Sequence, residues 1–422
     1  MDIVACLLVI IGLLSTSVFA ATQPDTDQGS DYQVGFAALD ITPPLAMLAE
    51  GETYMGGYGL WTTRGVATSV HDPLTANTVC IRQADQDLCI VIVDSLGLTG
   101  PIISLISKQV TRETGLDADR VFVGATHTHA APDLMGLWGG APVEYRDLLV
   151  ERTAESVILA YRSLESADLF YALSKGVAHN RRGWGFTDNE IVTIQAVAKE
   201  SGDSLGTLVN FASHPVISPM QSLAISSDYV SYLRARVANR TGSPVVFING
   251  AIGDVVPVDK RSGDTWSQAR EYGENIADSA VKSLRDKVRI SGGIGSARNV
   301  IELEVDNKVL AFAQWLGLID DYASGTFWDL VIKTSVARFN LGREVEAVAV
   351  PGEASTRLGL AIKNELKAPV KLFLGLSGGS LGYFIPADEW ESGRNGNYEE
   401  SVSLGKETSG RIESALKEMK VN

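Results

Sequence analysis

The stretch whose reading decides the fold is Val121-Phe122-Val123-Gly124-Ala125-Thr126-His127-Thr128-His129-Ala130. It reads as a buried strand of small and β-branched residues that runs out into a loop at a His-x-His pair. Side-chain alternation along a strand puts His127 and His129 on one side. Two imidazoles at the carboxyl end of a strand suit a metal that takes neutral nitrogen donors and keeps one approach open. The bland reading is a pair of hydrogen-bonded core or surface histidines. The chain holds five histidines in all, His71, His127, His129, His179 and His214, so a close pair carries information.

Working outward, residues 88–93 form an unbroken apolar run that ends at Asp94. Pro101 then opens a helix with apolar positions Ile102, Leu105, Ile106 and Val110, which Gly115 stops. With the His-x-His strand this is a β-α-β unit, so part of the sheet is parallel and the histidines lie at its carboxyl edge. Asp94 shares that edge, where it either orients an imidazole or caps a turn. Upstream, Cys80 and Cys89 flank a hairpin with a polar turn; a disulfide and two buried thiols both stay open, since sequence does not set the register. Residues 34–44 read as an opening strand ended by Pro43-Pro44. Met55-Gly56-Gly57-Tyr58-Gly59 lacks phosphate-loop spacing and reads as close backbone packing near a site. His71 reads as structural.

Downstream, a long helix is expected over 145–164, followed by antiparallel strands near 169–177, 190–198 and 207–212. The last delivers His214 to a loop. Asp228 caps a helix carrying Val230, Leu233 and Val237, closed by Gly242. A buried strand at 244–248 runs into Asn249-Gly250, and a helix through Tyr272, Ile276 and Ala280 follows. Beyond Gly292 the pattern turns to strands and a Trp-rich segment. Residues 347–350 then meet Pro351-Gly352-Glu353, 372–375 lead to Gly382-Tyr383, and 411–419 read as a closing amphipathic helix. No linker interrupts this succession, so the expected fold is α/β, mixed β-sheets flanked by helices, in one large domain over residues 33–422.

The chain has 422 residues, a formal net charge of −15, and 45% hydrophobic and 21% charged residues. That balance is globular, and its acidity argues against nucleic acid and against charge-driven binding to anionic lipid. No repeat or low-complexity tract is found. Residues 1–20 carry a short apolar core, Leu7-Leu8-Val9-Ile10-Ile11-Gly12-Leu13-Leu14, and a small-residue site at Val18-Phe19-Ala20. They read as a cleaved signal peptide, hence a secreted or periplasmic protein; an uncleaved N-terminal membrane anchor is the alternative. Asn239-Arg240-Thr241 is a glycosylation sequon, meaningful only in a eukaryotic host. Oligomeric state is not legible.

Four strand ends thus offer His127 with His129, His214, Glu353 and Tyr383, a nitrogen and oxygen donor set without cysteine, as expected of a catalytic zinc site. These motifs resemble the neutral/alkaline ceramidases. Ala125-Thr126-His127-Thr128-His129, Asn210-Phe211-Ala212-Ser213-His214-Pro215, Asn249-Gly250 with Gly253-Asp254-Val255 and Pro257, Pro351-Gly352-Glu353 and Gly382-Tyr383 stand in the family's order, as do Asp40-Ile41-Thr42-Pro43, Met55-Gly56-Gly57-Tyr58 and Asn180-Arg181. The resemblance runs over about 35–404. It implies Zn2+ held by His127, His214, Glu353 and Tyr383, with His129 as a proton-transfer group. Arg181 would bind or polarise the substrate, and Tyr398 is similar to a later active-site tyrosine. The implied activity is zinc-dependent hydrolysis of an acyl amide, ceramide or a related N-acyl lipid, by an activated water.

Two departures weigh on the substrate. Val256 stands where the family has an active-site serine, and no C-terminal immunoglobulin-like domain is expected after the catalytic domain. The alternatives are a metal-dependent esterase, phosphoesterase or small-amide hydrolase on the same scaffold, or a catalytically degenerate secreted binding protein. The expected partner is a small-molecule or lipid amide, with transient contact to a membrane surface left open and no nucleic acid. Trp61, Trp138, Trp184, Trp315 and Trp328 are candidates to line a lipid groove, Trp138 first among them.

Overall fold

The computed structural model describes residues 31–59, 64–258, 264–317 and 321–421. The expected signal peptide and Trp61 lie outside the described residues. The larger sheet contains β1 (Tyr32–Asp40), β2 (Thr75–Gln83), β3 (Gln86–Val93), β4 (Val121–Ala125), β5 (Glu165–Lys175), β6 (Glu190–Ala198), β7 (Ser204–Phe211) and β8 (Val245–Asn249), in the order β8-β7-β6-β5-β1-β2-β3-β4. Its middle is antiparallel, and the pairs β3/β4 and β7/β8 at its two ends are parallel. A second sheet contains β9 (Ile294–Glu304), β10 (Val331–Leu341), β11 (Val345–Ala349) and β12 (Val370–Leu374), closing on a third parallel pair, β11/β12.

The two sheets pack face to face. Phe122 of β4 meets Phe339 of β10 at 5.1 Å between ring centres, inside an apolar cluster drawn from both sheets. Helices α1 (Gly100–Thr114), α2 (Val143–Arg162), α3 (Tyr229–Thr241) and α4 (Thr265–Ser283) cover the outer face of the larger sheet. Helices α5 (Lys308–Trp315), α6 (Thr356–Glu365) and α7 (Thr408–Lys417) cover the outer face of the smaller one. The result is helix–sheet–sheet–helix, a mixed α/β fold in a single domain, as read from the sequence.

Local signals explain much of this. α1 has Pro101 in its first turn and ends on Gly115 in the left-handed region, and it forms the crossover between β3 and β4. α3 is capped by Asp228, whose carboxylate accepts from Tyr229 N. The 81–88 hairpin turns at Ala84-Asp85 and places Cys80 opposite Cys89; the two are bonded, which settles the open question of the thiols. Two readings need correction. The segment after Gly292 is not only strands: Asn307 caps α5, accepting from Val309 N and Leu310 N. Asp94 orients no imidazole. Its carboxylate takes a two-pronged ion pair from Arg234 at 2.6 and 2.9 Å and accepts from Thr75 N, so it ties α3 to the sheet edge.

Candidate active site

The parallel pairs β3/β4, β7/β8 and β11/β12 point their carboxyl ends at one place. Ala125, Ala212, Ile252 and Leu376, one from each converging loop, pack into a small apolar plug beneath it. Parallel strands feeding one edge leave a crevice there, where the loops meet without a strand between them. The site is built in that crevice.

His127 and His129 do converge, but not by strand alternation. β4 ends at Ala125, and His127 adopts φ 65°, a conformation that costs a non-glycine residue energy and must be held by its surroundings. The holding is visible: Thr126 N donates to Val93 O at 2.9 Å, Asn249 donates to Thr126 O, and His129 N donates to Pro215 O at 3.2 Å. The turn brings Nε2 of His129 to 3.2 Å from Nε2 of His127. His214 joins them, so that one ring nitrogen from each of the three histidines lies within 4.8 Å of the others. All three are buried.

Glu353 completes the cluster. Its Oε2 lies 2.9 Å from His214 Nε2 and 3.3 Å from His127 Nε2. Gly253 permits this approach, because a Cβ there would stand 2.6 Å from the Glu353 carbonyl. Glu353 also pairs in parallel register with Tyr383, which stacks 6.4 Å from His214 between ring centres. The structure thus brings His127, His129, His214, Glu353 and Tyr383 together.

Proton positions follow from the backbone. Nδ1 of His127 faces Leu96 O at 2.6 Å and Nδ1 of His214 faces Val255 O at 2.9 Å. A carbonyl only accepts, so each Nδ1 carries a proton and each Nε2 turns to Glu353. Burial, aided by Arg181, pushes the His214 pKa down to about 4, keeping that ring neutral. Burial works against charge on Glu353 as well, yet the flanking His127 and His214 hold it as a carboxylate, well below its usual range. Two ring nitrogens and a carboxylate oxygen therefore converge in a buried site, a donor set that suits a cation. Backbone carbonyls, not Asp94, orient both rings.

His129 differs from the other two. Burial, then its two histidine neighbours, push its pKa well below the ordinary value, and its buried Nδ1 has no hydrogen-bond partner among the described residues. The ring is boxed in by Tyr58, edge-on at 4.8 Å, and by Gly57, whose added Cβ would lie 2.5 Å from Nδ1. The glycine-rich loop is thus close packing beside the site, as its sequence implied.

Arg181 lies on the other flank. Its guanidinium donates to Glu399 Oε1 and to Gly253 O, each at 2.8 Å, and stands 5.4 Å from the ring centres of both Tyr383 and Tyr398. Burial opposes its charge, but Tyr383 and Glu399 outweigh that and keep it firmly cationic. Three supports were given no role in the sequence reading. Arg182 is fully enclosed and pairs with Glu399 and Glu400, fixing the segment that presents Tyr398. Asp254 accepts from Asn180, Thr356 N and Thr356 Oγ1, locking the Asn180-Arg181 turn to the start of α6. Tyr58 walls His129. Only the adjacency of Arg181-Arg182 and Glu399-Glu400 could have hinted at the first.

His127, His129, Glu353 and Tyr383 line a hollow of about 860 Å³, open mouth included, whose other walls are mainly apolar: Leu96, Leu137, Trp138, Leu310, Leu330 and Leu381. Trp138 is in the wall as expected, its Nε1 donating to Gly59 O at 2.7 Å. Trp184, Trp315 and Trp328 are not. His71 stacks on Trp266 at 3.8 Å and is structural. Val256 faces a different hollow, with Ile217 and Tyr272.

No family model and no curated protein matches the chain. Solved structures do. Neutral ceramidase from Pseudomonas aeruginosa superposes with a TM-score of 0.77 at 17% identity, over 92% of this chain and 74% of that one. A structure of ceramidase complexed with C2 gives 0.77 at 16% identity, over 92% and 75%. The chain has the neutral ceramidase fold. Among the described residues no helix is long and apolar enough to cross a membrane.

Proposed function

We propose that this chain is an exported, zinc-dependent hydrolase of the neutral ceramidase family that cleaves an acyl amide, ceramide or a related N-acyl lipid. The observation that carries the reading is the meeting of His127 Nε2, His214 Nε2 and Glu353 Oε2 beside an apolar hollow that His127 and Glu353 help to line. That donor set fits zinc, with Tyr383 as the fourth ligand. Bound there, zinc supplies a Lewis acid that polarises a carbonyl oxygen and lowers the pKa of water. Export is proposed on the apolar run in residues 1–20 and is supported by the Cys80–Cys89 bond.

The chain's own groups divide the remaining work. The apolar wall from Leu96 to Leu381 takes the acyl chain and keeps water from it. Arg181, pinned by Glu399 and Gly253 O, places a permanent positive charge where the carbonyl oxygen becomes negative. Neutral His129 takes a proton from the attacking water and returns it to the leaving amine, a role typically worth ~10²–10⁴-fold. Val256 contributes no nucleophile or donor. The strand that carries it holds His214 through Val255 O.

Val256 is also the observation that favours a second reading, an esterase or small-amide hydrolase that keeps the acyl site and changes the leaving group. The test common to both is His127→Ala. Zinc content and hydrolysis are measured on the purified variant, and tight zinc and turnover are lost together. Full activity without zinc contradicts the proposal.

A further inference from the structure

Helix α5 has two faces with opposite tasks. Leu310 and Ala311 are buried on the inner face, and Leu310 with Gln314 lines the apolar hollow. On the outer face Lys308, Phe312 and Trp315, with Leu316 just beyond the helix, follow i, i+4, i+7, i+8 spacing and form one stripe. Trp315 is 68% exposed, and its ring lies 5.8 Å from that of Phe312. The stripe continues across the gap to the next loop: Lys308 Nζ stands 5.7 Å from the ring centre of Trp328, which is 77% exposed. A continuous aromatic patch therefore sits outside the wall whose inside is the candidate acyl site.

We propose that this patch docks the protein on a zwitterionic lipid surface. The inference rests on the acyl-hydrolase reading for its purpose but not for its test. Tryptophan rings carry a polar edge on an apolar body and settle at the headgroup level of a bilayer, and a lysine between them keeps its amine in water. Charge selects the kind of surface. The patch has one cation, Lys308, in a chain of net charge −15, with Asp306 and Asp329 close in sequence, so no positive field draws it to anionic lipid. Position supplies the reason: one helix, ~10 Å across, separates the docked face from the hollow, so an acyl chain passes from bilayer to site without a path through bulk water.

The test is flotation of the mature protein with phosphatidylcholine vesicles, beside Trp315→Ala/Trp328→Ala. The double variant loses vesicle binding by at least about tenfold, in line with the apolar area removed. It hydrolyses a water-soluble short-chain N-acyl substrate at the wild-type rate, which shows that it is folded. Wild-type protein that stays unbound, or a variant that floats equally well, overturns the proposal. Binding confined to phosphatidylserine vesicles and abolished by salt overturns it too, as does a dimer in light scattering that the double variant converts to monomer. Flotation needs no turnover, so an inactive protein that floats leaves docking intact, and an active one that does not float leaves the hydrolase reading intact.

Discussion

Glu353 Oε2 stands 2.9 Å from His214 Nε2, while the other nitrogen of that ring, Nδ1, is committed to the carbonyl of Val255 at 2.9 Å. Two residues 139 positions apart therefore meet, ring nitrogen to carboxylate oxygen, in a buried site. A cation held between the two groups would draw on both of them. Everything else in the site arranges around that fact.

Gly57 tests the separate role of His129. A methyl at residue 57 would lie 2.5 Å from His129 Nδ1 and would sit on a backbone at φ 99°. Gly57→Ala displaces the ring, and turnover falls by ~10–100-fold, as an ångström-scale misplacement does. Zinc stoichiometry stays the same, because His127, His214, Glu353 and Tyr383 are untouched. An unchanged rate removes His129 from the mechanism.

Asp94 is expected to act on stability alone. Asp94→Ala leaves Arg234 without its buried partner and Thr75 N without its acceptor, a loss of about 3–5 kcal/mol. Chemical denaturation reads the loss, and zinc content per folded molecule is unchanged. A variant of normal stability that fails to hold zinc restores the imidazole-orienting role that the geometry denies.

The Cys80–Cys89 bond closes a short loop within a hairpin that is already paired. Replacing both cysteines by alanine lowers stability by about 2–3 kcal/mol on the loop-entropy account. Activity at 25 °C persists, since the bond packs against α1 and α2, away from the site. Loss of activity in a fully folded double variant contradicts this placement.

What the sequence revealed was what neighbours decide. Pro101 and Gly115 bracket α1 by local dihedral preference, and the apolar runs before Asp94 and after Arg120 announce buried parallel strands. His127, His214 and Glu353 were legible because each ends such a strand. Contacts made across long separations were not. Arg234 reaches Asp94 from 140 residues away, and Arg182 reaches Glu399 from 217. Neither partner carries a local mark, because an ion pair depends on where the chain returns. The turn at His127 was hidden for a related reason: φ 65° is imposed by Val93, Asn249 and Pro215, not preferred by histidine. Helix α5 was masked by its aromatic outer face, which reads as strand when burial is unknown.

The most direct measurement is hydrolysis of a small panel by the purified mature protein. It contains a fluorescent ceramide, an N-acyl amino acid and a simple acyl ester, each run as isolated, after chelator treatment, and after zinc is restored. The account predicts that at least one member is cleaved, that chelation abolishes cleavage, and that zinc returns it. Cleavage of ceramide means that a valine at position 256 suffices, and cleavage of another member moves the substrate and keeps the site. Hydrolysis that survives complete removal of metal, or a folded zinc-loaded protein that cleaves none of the three, contradicts the account.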